Sequence, residues 1–340
     1  MVLKAALQHL VAGKSLTEKQ AVALGKEMTA GEASDILIGA VLTALRMKGE
    51  TVAEITGLAL AMQQASIKVD FPFPVADTCG NGGDDKNTFN ISTTTAFVLA
   101  ASGVKVAKHG NRAASSKSGS ADVLEELGVK IDLLPEQVKE CVEQIGIGFF
   151  FAVKFHPAMK HVMQARKDIG IRTIFNFLGP LLSPASAKYQ VIGTPDPLKA
   201  ESLIQVSKKL GAEHVLVVCG EDGMDEVSLS APTTVWEYKR SNAKVRKYSV
   251  TPEQFGLKRA ALPDLQSFSK KDSAEIIHGV LDRNIKGPKR DVIVLNSAAA
   301  LVVADKVATW EEGIELAKQL LDSKKPMTVL NKLVAFSQSF

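Results

Sequence analysis

Past residue 70 the chain alternates short apolar runs with stretches of helical periodicity, and this alternation limits the possible folds more than any other feature. Runs at Val75–Cys79, Val104–Ala107, Gly148–Val153, Tyr189–Ile192, Val215–Cys219 and Val292–Leu295 read as strands. Strands separated by helix-length segments need crossover connections. They predict an α/β domain with a central mixed, mostly parallel sheet flanked by helices. Ligands of such sheets sit beyond the carboxyl ends of the strands.

Residues 1–68 have a different pattern. Thr17 with Gln20, and Thr51 with Glu54, have capping-box spacing and mark two helix starts. Ile36, Leu37, Ala40, Val41, Ala44 and Leu45 repeat at helical spacing, as do Ile55, Leu58, Ala59 and Met62. The two prolines of DFPFPVA (Asp70–Ala76) end this region. A small helical domain is therefore expected over 1–70 and a larger α/β domain over 71–340. A second helical patch, His156–Pro184, opens and closes with proline and carries Arg166, Lys167 and Arg172. It is read as a return to the helical domain over about 157–184.

Two loops rich in Gly, Ser, Thr and Asn follow the first two predicted strands: CGNGGDDKNTFNIST and KHGNRAASSKSGS. Each stands before a helical pattern, so free N–H groups and a helix N-terminus point at one spot, which suits an anion. No Asp or Glu occurs from Lys86 to Ala121, while Lys86, Lys105, Lys108, Arg112 and Lys117 do. Turn chemistry alone does not remove the acids; a phosphorylated ligand does. The first loop is neither a dinucleotide fingerprint, since Asp85 holds the last glycine position, nor a Walker loop, since no Gly-Lys-Ser/Thr closes it. Its Asn90, Ser92 and Thr93 open the next helix. His109 by itself reads as an ordinary packed or surface histidine. Downstream, Asp225 and Glu226 fall just past a strand end, where paired carboxylates beside a phosphate site hold Mg²⁺ or form a solvated acidic turn.

Composition narrows the setting. With 41 Lys and Arg against 37 Asp and Glu, the net charge of +4 is too small to argue for nucleic acid, so the local basic groups favour a small anion. Cys79, Cys141 and Cys219 lie far apart, without the spacing of a zinc site or disulfide framework, and a reduced, cytoplasmic protein is expected. The longest apolar run, Ile145–Val153, is far short of the ~20 residues that span a bilayer, and no signal-peptide pattern is visible.

Taken together, DTCGNGGDDKNTFNIST, VAKHGNRAASSKSGSADVLEELG, FHPAMKHVMQARKDIGIRTIFNFLGPL and GMDEVS resemble the anthranilate phosphoribosyltransferase family. The resemblance implies a homodimer built through the helical domain, hinged to an α/β domain of the nucleoside phosphorylase type. It implies transfer of the phosphoribosyl group of 5-phospho-α-D-ribose 1-diphosphate to anthranilate, with two Mg²⁺ ions per monomer. Carried over by position, Gly80, Gly83, Asp84, Thr88, Asn90, Ile91, Ser92 and Thr93 would contact the phosphoribosyl donor. So would Lys108, His109, Gly110, Asn111, Arg112, Ala113, Ala114, Ser115, Ser116 and Ser120. Asn111 and Arg166 would meet anthranilate, and Ser92, Asp225 and Glu226 would hold the metal. Lys108, Asp225 and Glu226 would carry the catalytic charge.

Two residues depart from the family pattern GTGGDG: Asn81 replaces its threonine and Asp85 its last glycine. Asp85 either turns outward or weakens donor binding, because it puts a second carboxylate beside a pyrophosphate site. Two other readings are a pyrimidine nucleoside phosphorylase and a non-catalytic nucleic-acid-binding relative. The KHGNR loop and the Asp225-Glu226 pair favour the transferase over both.

Overall fold

A computed structural model describes residues 2–113 and 117–340. Four helices come first: α1 (Val2–Val11), α2 (Glu18–Ala30), α3 (Asp35–Lys48) and α4 (Val52–Gln64). Both expected capping boxes are present, at Thr17 and at Thr51. Glu54 does more than cap. Its buried carboxylate also accepts the Leu16 N–H and pairs with Lys48 at 2.9 Å, which ties three helix ends together.

The chain then enters a sheet through β1 (Ala76–Gly80), α5 (Ile91–Ala101), β2 (Val106–Gly110), α6 (Ser120–Glu126), α7 (Pro135–Glu140), β3 (Ile147–Phe151), α8 (Ala152–Phe155) and α9 (Lys160–Ile169). It continues with β4 (Tyr189–Gly193), α10 (Pro197–Lys209), β5 (His214–Gly220), β6 (Thr233–Lys239) and β7 (Val245–Val250). It closes with α11 (Lys270–Leu281), α12 (Pro288–Val303), α13 (Trp310–Asp322) and α14 (Lys325–Gln338). The seven strands lie in the order β3-β2-β1-β4-β5-β6-β7, parallel from β3 to β5 and antiparallel beyond.

One expected strand is a helix. Val292–Leu295 lies inside α12, whose buried residues surround the whole helix, and a short apolar run of that kind cannot be told from a strand by periodicity. Pro288 at its first turn is the helix signal. The antiparallel pair β6 and β7 was not anticipated; β7 is a largely exposed edge strand carrying Arg246 and Lys247 rather than an apolar run. The run at Gly148–Val153 is cut short at Phe151, where α8 begins.

The sheet separates two cores. On one side α5 is covered by α12, α13 and α14. On the other, α10 packs on β5 and α4, so its core continues into the bundle of α1–α4, with α9 returning onto α2 and α3. Strand β5 serves both cores: Val215, Val217 and Cys219 face the bundle side, Leu216 and Val218 the opposite one. Crossovers leave β1 toward β2 on one side, and β4 lies on the other. The crevice at the carboxyl ends of β1 and β4 is thus the switch point of the sheet.

Candidate active site

The crevice is built around Asp225. Gly80 and Gly193 end β1 and β4 and are partners in register. A Cβ on Gly80 would lie 2.4 Å from the Asp225 carboxylate, and one on Gly193 would lie 1.6 Å from the Asp225 carbonyl oxygen. Only glycine at both strand ends lets the loop after β5 enter. The Gly82 N–H donates to Asp225 Oδ2 at 2.7 Å, and the Asn81 N–H donates to the Gly193 carbonyl at 2.9 Å. The glycine loop and the acidic pair, 143 residues apart, are therefore one unit.

Two further groups set this acidic loop. Asp222 accepts from the Ser228 hydroxyl at 2.6 Å, from Ser230 and from the Met224 N–H. From α12, Asn296 accepts the Val227 N–H and donates to the Val227 carbonyl, each at 2.9 Å. Sequence reasoning missed Asn296; a lone amide in the apolar run DVIVLNSAAALVVA is the signal that was available.

A strap from the C-terminal region holds the glycine loop from outside. Leu265 accepts the Phe89 N–H, the Ser267 N–H donates to the Asn87 carbonyl, Gln266 donates to the Lys86 carbonyl, and Ser273 accepts the Asn90 N–H. Asn90 then caps α5, accepting the Thr93 N–H at 3.0 Å, and reaches the Ser118 carbonyl of the second loop. In that loop Asp122 accepts the N–H groups of Ala113 and Gly119. Gly119 is needed because a Cβ there would strike the backbone at Arg112 and Ala113.

These segments enclose a cavity of about 350 Å³. Of the residues singled out from sequence, Gly80, Asp84, Thr88, Asn90, Ile91, Ser92, Lys108, His109, Gly110, Asn111, Arg112, Ala113, Ser120, Arg166, Asp225 and Glu226 line it. Gly83 and Thr93 do not: the Gly83 carbonyl turns to Arg172, and Thr93 is buried inside α5. Ala114, Ser115 and Ser116 lie outside the described residues. The wall also includes Phe175, Asn176, Gly179 and Pro180, which the sequence reading left unassigned; LGP after an aromatic run was the cue available there. Two lining residues, Asn81 and Ser118, carry buried side-chain oxygens without a partner among the described residues.

The basic charge is less concentrated than the sequence implies. Lys105 lies just before β2 and donates to the Glu143 carbonyl, and Lys117 lies over the exposed ring of Phe268. Arg112 lines the cavity but is held in a fork by Glu125 and pairs with Asp122 at 3.1 Å. Lys108 is the central cation. It is 2% exposed and donates to the Thr78 carbonyl and toward Ser92 Oγ at 3.4 Å. Arg166 stacks on Phe175 at 5.3 Å, and burial lowers its pKa.

The acids respond to this setting. Burial, then the facing carboxylate of Asp84, pushes Asp225 up to about 7. Burial and Asp225 push Glu226 well above the carboxylate range, with Lys108 opposing. Acids held this way lack positive charge, and a divalent cation restores it. Among the described residues no three His, Cys, Asp or Glu converge to hold an ion alone. This donor set suits Mg²⁺, which keeps waters and takes further oxygens from a phosphorylated ligand.

Comparison with known proteins agrees with this architecture. Residues 4–66 match the glycosyl transferase family, helical bundle domain, and residues 73–326 match the glycosyl transferase family, a/b domain. Fold and crevice thus define a glycosyltransferase with a helical bundle beside its α/β domain. The chain is 50% identical to the anthranilate phosphoribosyltransferase of Dehalococcoides mccartyi over 99% of both chains, and 50% identical to that of Symbiobacterium thermophilum over 98% of both. The chain belongs to the anthranilate phosphoribosyltransferase family. Its fold matches the crystal structure of the Thermus thermophilus enzyme with a TM-score of 0.93 at 40% identity, covering 98% of this chain and 99% of that one. It matches the Saccharomyces cerevisiae enzyme in complex with PRPP and Mg with a TM-score of 0.92 at 28% identity, covering 99% and 98%.

Proposed function

We propose that this cavity transfers the phosphoribosyl group of 5-phospho-α-D-ribose 1-diphosphate to the amine of anthranilate, giving N-(5-phosphoribosyl)anthranilate and pyrophosphate for L-tryptophan biosynthesis. One observation carries the reading: the glycine loop, the Lys108–Ser120 loop and the Asp225-Glu226 pair, distant in sequence, surround a single cavity. The amine nitrogen bonds to C1 of the ribose as the C1–oxygen bond to pyrophosphate breaks, and the nitrogen gives up a proton. The leaving group is good and an arylamine is mostly unprotonated at neutral pH, so no dedicated base is needed. Rate comes from positioning and from charge.

Each part of the cavity has a place in this scheme. The Gly80–Thr88 loop and the α5 N-terminus, with Asn90, Ile91 and Ser92, offer N–H and hydroxyl groups to the donor, while Thr93, buried in α5, is left out of the donor set. Lys108 and the second loop, with His109 to Ala113 and Ser120, complete the donor's surroundings. Arg166, stacked on Phe175 in the cavity wall, orients anthranilate through its carboxylate, with Asn111 as a second contact. Ser92, Asp225 and Glu226 hold Mg²⁺, and with Asp84 the acids carry enough charge for two ions per monomer. Bound Mg²⁺ supplies positive charge to the departing oxygens.

Two copies associate through the helical lobe, taken as residues 1–70 with 157–184, while 71–340 form the catalytic domain. Ile36 and Met47 are 86% and 83% exposed and, 11 positions apart on α3, share one face of that helix. The three thiols are free, as suits a reducing cytoplasmic setting, and no helix among the described residues is long and apolar enough to cross a membrane. The deciding experiment follows the loss of anthranilate fluorescence with the donor and Mg²⁺. Turnover that stops with EDTA and returns with Mg²⁺ is expected. Turnover without metal, or phosphorolysis of a nucleoside in place of transfer, refutes the reading.

A further inference from the structure

Arg172 lies against the glycine loop, in the segment that joins α9 to the 173–176 turn of the cavity wall. It is exposed and does not line the cavity, yet its Nη2 donates to the Gly83 carbonyl at 2.5 Å. Among the described residues no other hydrogen bond joins residues 160–180 to residues 81–88. The fit is close: a Cβ on Gly83 would come within 1.9 Å of the guanidinium, and the backbone there has a φ of +73°. Gly83 is glycine both to take that backbone and to leave room for Arg172.

The other end of this contact leads into the acceptor wall. Residue 173 begins a turn closed by its own N–H donating to Asn176 Oδ1 at 2.9 Å, and Phe175 and Asn176 of that turn line the cavity beside Arg166. A shift of the glycine loop therefore pulls on the acceptor wall through one side chain, and a shift of the wall pulls on the loop.

On the reading of the cavity given above, we propose that Arg172 is a positioning residue that couples the two substrate subsites. Donor seated in the glycine loop fixes the Gly83 carbonyl. Through Arg172 it fixes the 173–176 turn, so anthranilate binds more tightly to the donor complex than to the free enzyme. By linkage, anthranilate tightens donor binding by the same factor. One solvent-exposed hydrogen bond of ordinary net strength sets the scale at about two- to tenfold.

The test measures anthranilate binding in two states of the full-length enzyme with Mg²⁺. One is a fluorescence titration without donor; the other is the anthranilate KM at saturating donor, from initial rates over a grid of both substrates. In the unaltered protein the second constant is expected to be about two- to tenfold lower than the first. In Arg172→Ala, with an unchanged melting temperature, the two constants converge while donor-free affinity stays within about twofold; Arg172→Lys falls between. Two results overturn the coupling: an undiminished ratio in Arg172→Ala, including equal weakening in both states, or a ratio of one in the unaltered protein. Absence of any product overturns the reading of the cavity as well, whereas product formation with an undiminished ratio removes the coupling alone.

Discussion

Asp85 stands where the family pattern has glycine, and its backbone takes a φ of +57° with the side chain exposed. Aspartate tolerates this region better than most residues, and an exposed carboxylate is screened by water and salt. Asp85→Asn should therefore leave the donor KM within about twofold at physiological ionic strength; a large fall would mean that the carboxylate reaches the donor. The buried pair His109 and His156, whose Nε2 atoms lie 3.2 Å apart, makes a second residue-level prediction. Burial lowers His156 to about 4; burial and then His156 lower His109 to about 3. Both folded pKa values lie below the unfolded value near 6.5, so between these limits the unfolded chain binds the extra protons. Stability is then fully present above about pH 6.5 and is lost as pH falls toward 4, by about 3 kcal/mol for His156 alone. Melting curves of the unaltered protein and His156→Gln should differ less at pH 4.5 than at pH 7.

At the level of elements, the acidic loop is set by α12. Removing the Asn296 amide leaves the buried Val227 N–H and carbonyl unpaired. Asn296→Ala should cost about 2–3 kcal/mol of stability and raise the Mg²⁺ concentration for half-maximal rate several-fold, with the anthranilate KM nearly unchanged. Thermal melts and a Mg²⁺ titration check both. The parallel strands were legible because each is a short apolar run between helix signals. Val292–Leu295 was misread because a helix buried all round has no polar face to display its period. The glycines and the Asp225-Glu226 pair stood out as residue types, but Thr93 shows the limit: spacing places it at the start of α5, and only the rotation of that helix turns it from the cavity into the core. The basic cluster was overcounted for a related reason, since Lys105 precedes β2 and turns to the Glu143 carbonyl, whereas Lys108 sits within the strand and reaches the Thr78 carbonyl.

At the scale of the molecule, the proposed association through α3 predicts that the protein sediments as a dimer and that Ile36→Glu combined with Met47→Glu makes it a monomer without unfolding it, read by sedimentation velocity and circular dichroism. An unchanged sedimentation coefficient would move the interface elsewhere. The Asp225 cradle, the strap and the Arg172 contact join segments that no local pattern links, which is why sequence could name the loops but not their supports. The strap from Leu265 to Ser273 has one more consequence. It braces a loop made some 180 positions earlier in the chain. During synthesis on a ribosome, the first strands emerge long before their anion loop has anything to lean on. A nascent chain stopped before Leu265 would hold both glycine-rich turns and the acidic pair yet lack their brace, so the competence to grip a sugar phosphate arrives late, with the last quarter of the polypeptide.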